Sequence, residues 1–173
     1  IDVVDSHPLD QRLQAIDLTT GDLAWATHVT APLSTSVLAT AGGILFCGDT
    51  FMPLPYIVDG DIEEMMASLK RLPKMSLENL IPGHGDVVLR GEIDSSVKSN
   101  LNYLTEIRKA VRQAHRRKYP LDLLDEVSIE DAGKSRILIG GMADQLHRIN
   151  LSALYKHYYD EEPQGSEVYY EER

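Results

Sequence analysis

Two short apolar runs, each ending in a glycine-flanked polar motif, restrict the fold of this chain more than any other feature. The first run leads into GDT at residues 48–50, and the second leads into PGHG at residues 82–85. Between them, apolar residues recur every three or four positions from residue 62 to residue 72. This pattern predicts a strand, an amphipathic helix and a second strand. The two polar motifs would then meet at one edge of a sheet, where ligands usually bind in α/β folds.

The rest of the chain divides into a β-rich first third and a helical last half. Alternating apolar residues in RLQAIDL and LAWATHV, joined by TTGD, predict a β-hairpin, and two more short strands are expected around residues 41–43. The apolar spacing from residue 93 to residue 114 predicts the longest helix. Shorter helices are predicted over residues 129–132 and from residue 142 to residue 154. The expected fold class is therefore α/β (α+β).

Composition narrows the classes of partner. The chain has 173 residues and a formal net charge of −10, which disfavours nucleic acid and anionic membrane surfaces as partners. No apolar run approaches the roughly 20 residues of a membrane span. We therefore expect neither nucleic acid nor a membrane as a partner. The sequence leaves the localisation unknown, with a cytoplasmic location as the default.

The single cysteine, Cys47, excludes an internal disulfide. It stands inside an apolar run, immediately before the first polar motif. Because unpaired cysteines of this kind behave as small apolar side chains, we predict a buried, inert thiol rather than a metal ligand.

Asp49 and His84 are the residues of the two motifs that carry chemistry. Carboxylate oxygen and imidazole nitrogen are both good ligands for Zn²⁺. Gly83 and Gly85 flank the imidazole and permit backbone angles that would direct it toward a neighbouring loop. The sequence therefore suggests half of a metal site. The alternative is that Asp49 simply caps the turn that follows it.

ILFCGDT followed by LENLIPGHGDVV resembles the second half of the metallo-β-lactamase-fold family, over about residues 44–162. The resemblance implies that Asp49 bridges two zinc ions and that His84 is a ligand of the second. It also implies the second half of an αββα sandwich, here preceded by a β meander. The implied activity is metal-dependent hydrolysis of a small-molecule substrate that is an ester, thioester, amide or phosphoester, with zinc as the cofactor.

The chain departs from the family pattern at the remaining metal ligands. It contains no His-x-His-x-Asp-His run. A further family histidine aligns with Thr30, and His28 is two residues away on the same face of a strand, so we include His28 as a candidate ligand. The expected metal site is therefore incomplete in this chain. The alternative function is a non-catalytic remnant or oligomerising module, in which an uncovered apolar face favours a homodimer.

Residues 12–48 separately resemble one blade of a pyrroloquinoline-quinone-dependent dehydrogenase propeller, with Trp25 in the place of the docking tryptophan. A single blade cannot bury its own faces. A quinoprotein dehydrogenase fragment is accordingly the third hypothesis, and it would imply a periplasmic location. The predicted division is a β-strand region over residues 1–48, a metallo-β-lactamase-like part over 49–162 and an acidic tail over 163–173.

Overall fold

The computed structural model describes residues 11–16, 19–29, 38–58 and 60–165, and it separates the chain into two compact units. The units are Ile1–Ser34 and Thr35–Arg173. In the first unit, strands β1 (Gln11–Ile16) and β2 (Leu23–Val29) pair antiparallel, with a register shift between Ala15 and Ile16. The predicted hairpin is thus confirmed.

A four-stranded mixed sheet lies in the second unit. Its strands, in their order across the sheet, are β3 (Leu38–Ala39), β4 (Ile44–Gly48), β5 (Asn79–Pro82) and β6 (Val88–Leu89). The central pair, β4 and β5, is parallel, and both outer pairs are antiparallel. A parallel pair requires a crossover connection, and a helix provides it here, as the sequence predicts. Residues 38–48, grouped with the β-rich first third in the sequence analysis, contribute two strands to this sheet.

Four α-helices accompany the sheet in the described part of the chain: α1 (Ile62–Leu69), α2 (Ile93–Ala114), α3 (Pro120–Glu126) and α4 (Ala143–Tyr159). Helix α1 is the crossover between β4 and β5. Its N-cap is Asp61, whose side chain accepts a hydrogen bond of 2.9 Å from the backbone of Glu64. None of the helices in these ranges combines the length and apolar character that a bilayer span requires.

The prediction of a helix over residues 129–132 is wrong. That segment forms hydrogen-bonded turns, which end at Gly133 in a left-handed conformation with a φ of 78°. Helix α3 lies earlier instead, and it begins at Pro120, where the fixed φ of proline suits the first helical position. The predicted last helix is confirmed as α4.

Helix α2 supplies the centre of the core. Its buried apolar residues are Ile93, Val97, Tyr103, Leu104, Ile107, Val111 and Ala114. They belong to the same buried cluster as Leu45, Cys47 and Leu80 of the parallel strands. The predicted period of α2 therefore identifies its packed face correctly. The mixed α/β class is confirmed, and the specific sandwich fold remains a proposal.

Candidate functional site at the edge of the parallel strands

Asp49 and His84 meet at the carboxyl ends of the two parallel strands. Strand β4 ends at Gly48, directly before Asp49, and β5 ends at Pro82, two residues before His84. The Nδ1 atom of His84 lies 2.8 Å from Oδ1 of Asp49. The parallel pairing thus brings the carboxylate and the imidazole into direct contact, as the two motifs predict.

The two glycines beside His84 are required for different reasons. A Cβ on Gly83 would lie 2.3 Å from Oδ1 of Asp49, so only glycine lets the two loops approach this closely. Gly85 has a φ of 94°, and a Cβ there would lie 2.4 Å from Cγ of Pro53. The sequence predicts backbone freedom at both glycines. Only Gly85 uses it, whereas Gly83 provides space for the carboxylate.

The hydrogen bond between the two side chains defines which of their atoms remain available. An ionised carboxylate only accepts hydrogen bonds, so Nδ1 of His84 donates to Asp49 and the proton resides on Nδ1. Within the described residues, neither Nε2 of His84 nor Oδ2 of Asp49 has a partner. Both side chains are more than half exposed, at 55% for His84 and 60% for Asp49. One nitrogen and one oxygen are therefore free to bind a ligand from solvent.

The neighbouring residues do not extend this pair into a larger ligand cluster. Cys47 is buried, as predicted, and its thiol donates to the carbonyl of Ile81 over 3.3 Å. Burial raises the pKa of Cys47 to about 11, which disfavours the thiolate that a metal would need. Asp86 lines a cavity beside the loop and makes no hydrogen bond to His84.

Nε2 of His84 and Oδ2 of Asp49 are two available ligand atoms, and a tetrahedral zinc site needs four. No group of three or more His, Cys, Asp or Glu side chains with the arrangement of a metal site occurs among the described residues. His28 lies on β2 of the first unit, opposite Arg12, and its role as a ligand stays a prediction. Thr30, which aligns with the family histidine, lies outside the described residues.

A cavity of about 650 Å³ opens next to this edge, and one of its lining residues is a lysine that no sequence motif marks. Pro53, which touches the loop at Gly85, forms one wall of the cavity, and Lys134 lines another. The ammonium of Lys134 donates to the carbonyl of Pro53 over 2.7 Å and to Oδ1 of Asn100 over 2.6 Å. Burial lowers the pKa of Lys134 to about 8.

Buried polar groups anchor the loop between Asp49 and α1. Asn150, on α4, donates to the carbonyl of Pro55 over 2.7 Å and accepts from the backbone of Ile57 over 3.1 Å. Asn100, on α2, donates to the carbonyl of Met52 over 2.9 Å. Two helices distant in sequence thus hold the loop that follows the carboxylate. Hydrophobic periodicity does not reveal the role of these asparagines, because each is one polar residue on the otherwise apolar face of its helix.

No protein-family model matches the chain, and no curated protein is significantly similar to it. The resemblance to the metallo-β-lactamase fold therefore rests on the two polar motifs. Their meeting at one sheet edge is the geometric observation in its favour. The resemblance of residues 12–48 to a propeller blade stays a prediction.

Proposed function

We propose that this chain is a metal-dependent hydrolase of the metallo-β-lactamase fold with an incomplete metal site, in which Asp49 and His84 bind zinc. The observation that carries the proposal is the 2.8 Å contact between a carboxylate and an imidazole at the carboxyl edge of parallel strands. Both side chains are exposed there, so a cation and a substrate have access to them. The expected substrates are esters, thioesters, amides or phosphoesters.

The chemistry of the two side chains supports this assignment. A bound zinc ion would lower the pKa of a coordinated water and polarise a carbonyl or phosphoryl oxygen. Asp49 orients the ring of His84 through Nδ1, and it leaves Nε2 as the nitrogen with a free lone pair. Hydrogen-bonded carboxylate–histidine pairs of this kind fix the orientation of the ring in metal centres.

The remaining ligands have to come from outside the described cluster, since two side chains fill half of a tetrahedral site. A second copy of the chain is one source of such ligands, and His28 stays a prediction from the sequence. The isolated chain should therefore bind zinc more weakly than a complete site. The measured zinc affinity therefore distinguishes this proposal from that of an enzyme with a complete zinc site.

Zinc titration of the purified chain by calorimetry tests the proposal. We expect His84→Ala and Asp49→Ala to weaken zinc binding at least about tenfold, because the first removes the imidazole ligand and the second removes the carboxylate that orients it. His157→Ala is the matched control, since His157 is also exposed and lies 3.4 Å from a carboxylate of Asp61. Equal affinities of the His84 variant and the original chain would contradict the assignment.

The alternative function is a non-catalytic, oligomerising module of the same fold. Two exposed apolar residues on the sheet favour this alternative, because a second copy of the chain could cover them. Phe46 is 40% exposed and Leu89 is 55% exposed. Sedimentation of the chain with and without zinc, combined with the titration, separates the two functions. A dimer that forms without zinc and binds none would favour the module. The quinoprotein hypothesis is tested by the absorbance of pyrroloquinoline quinone after reconstitution.

A further inference from the structure

The cavity beside the sheet edge holds the ammonium group of Lys134 between two neutral acceptors. One is the carbonyl oxygen of Pro53, at 2.7 Å, and the other is Oδ1 of Asn100, at 2.6 Å. A protonated lysine has three N–H donors, whereas the neutral amine has two donors and a lone pair. Two acceptors therefore match the hydrogen-bonding capacity of the neutral amine. The remaining tetrahedral position on Nζ, which the lone pair occupies in the neutral amine, has no partner among the described residues.

The fold places this amine through contacts that are remote in sequence. Gly133 adopts a φ of 78°, which turns the chain directly before Lys134. Asn100 is buried and is itself fixed by its hydrogen bond to the carbonyl of Met52. The amine is thus held by a rigid pair of acceptors on α2 and on the loop after Asp49. Such a fixed amine resembles the lysines that act as nucleophiles in proteins.

No carboxylate pairs with Lys134 in the described part of the chain. The carboxylates that line the same cavity belong to Asp86 and Glu92, and Glu92 accepts a hydrogen bond from the backbone of Leu89. On the segment of Lys134 itself, Glu130 is bound by Arg136 at 2.7 Å, and Asp131 accepts from Ser128. Among the described residues, no carboxylate therefore holds the lysine in its charged form.

The charge of the cavity favours one class of ligand. Two carboxylates and one lysine line it, and the whole chain carries a net charge of −10. An anionic ligand would be repelled by this field. The apolar part of the lining includes Phe51 and Leu138. The cavity therefore suits an uncharged molecule with an apolar body and a carbonyl group that can reach Nζ.

We propose that this cavity is a binding site for uncharged aldehydes or ketones, which condense with the side-chain amine of Lys134 to form a Schiff base. The lone pair of Nζ attacks the carbonyl carbon, and a carbinolamine forms. Loss of water then gives the imine, and the two amine protons leave with the carbonyl oxygen. The reaction is reversible and requires no oxidant or reductant. It is independent of the zinc site proposed above.

The lowered pKa of Lys134, about 8, supports this reactivity. At pH 7.4 about one amine in five would be neutral, against about one in a thousand for a lysine of ordinary pKa. Nucleophilic attack requires the neutral amine. A lysine with this pKa is therefore the preferred site of condensation near neutral pH, provided that a carbonyl compound enters the cavity.

Reductive trapping on the intact chain tests the proposal. The chain is incubated at pH 7.4 with benzaldehyde and cyanoborohydride, which reduces the imine to a stable secondary amine, and peptide mass spectrometry locates the product. We expect Lys134 to react at least about tenfold faster than the exposed Lys70 and Lys98, given its larger neutral fraction. The labelling rate of Lys134 should level off above about pH 8, whereas that of Lys98 should keep rising.

Two further comparisons make the result decisive. Lys134→Arg keeps a cation and its donors, and it should abolish the fast labelling, whereas Lys98→Arg should leave it intact. The ratio of Lys134 labelling to Lys98 labelling should be smaller with glyoxylate, an anionic aldehyde, than with benzaldehyde. Equal labelling of Lys134 and Lys98 at pH 7.4 in the original chain would overturn the proposal. A larger ratio with glyoxylate than with benzaldehyde would overturn the assignment of an uncharged ligand.

Discussion

Nδ1 of His84 lies 2.8 Å from Oδ1 of Asp49, although the two residues are 35 positions apart in the chain. The contact exists because β4 and β5 are parallel neighbours whose carboxyl ends share one edge of the sheet. It also requires glycine at position 83, where any side chain would occupy the place of the carboxylate oxygen.

Gly83→Ala should separate the imidazole from the carboxylate. The new Cβ would lie 2.3 Å from Oδ1 of Asp49, so one of the two loops has to move. We expect the nitrogen NMR signals of the His84 ring to lose the signature of a hydrogen-bonded Nδ1–H, and the zinc affinity to fall about tenfold or more. Gly91→Ala is the matched control, because a Cβ there meets no atom within 4 Å. An unchanged His84 spectrum in the Gly83 variant would contradict the close approach.

Tyr103→Phe should destabilise the second unit. The Tyr103 hydroxyl lies 3.1 Å from Nδ1 of His147 and accepts from Asn150 over 3.0 Å, and all three residues are buried. Removal of the hydroxyl leaves buried polar groups without partners, at a cost of about 1–3 kcal/mol in the free energy of unfolding. Urea unfolding measures the change. Tyr56→Phe should have almost no effect, since the Tyr56 hydroxyl has no partner in the described residues; similar losses in both variants would argue against the network.

Mild acid should destabilise the second unit through His147. Burial lowers the pKa of His147 below its ordinary value, because the protonated ring would lose its water. Below about pH 6.5 the unfolded chain binds a proton at this residue more readily than the folded chain does. The free energy of unfolding should therefore be at its full value above pH 6.5 and decrease as the pH falls from there.

Urea unfolding at several pH values between 7.5 and 5.5 measures this dependence. The window stays above the ordinary pKa values of Asp and Glu, which limits the contribution of carboxylates. In His147→Gln the slope should be smaller than in the original chain. An identical slope in both proteins would assign the acid sensitivity to other groups.

Cys47 should resist alkylation in the folded chain. Its thiol is buried, and its pKa of about 11, against an ordinary value of 9.0, lowers the thiolate fraction at pH 8 about 100-fold. Iodoacetamide should therefore modify Cys47 at least that much more slowly in buffer than in concentrated guanidinium chloride. Mass spectrometry over time gives both rates. Rapid modification of the folded chain would show that the thiol is accessible.

Local sequence patterns accounted for most of the elements that position the site. The alternation in β1 and β2 predicted their hairpin, and the apolar period of α2 predicted both its extent and its buried face. The errors in helix assignment lie between α2 and α4. A helix was predicted over residues 129–132, where the structure has turns, and α3 was missed because seven residues present too short a period to recognise.

By itself, the sequence determined that Asp49 and His84 would lie at the ends of adjacent strands, because their motifs end two apolar runs joined by a helix. Only the tertiary structure decided the environments of Lys134 and His147. The acceptors of Lys134 are 34 and 81 residues away, and the hydroxyl that contacts His147 is 44 residues away. Periodicity reports the face on which a residue lies, whereas the pKa and reactivity of a side chain depend on which distant polar groups the folded chain places beside it.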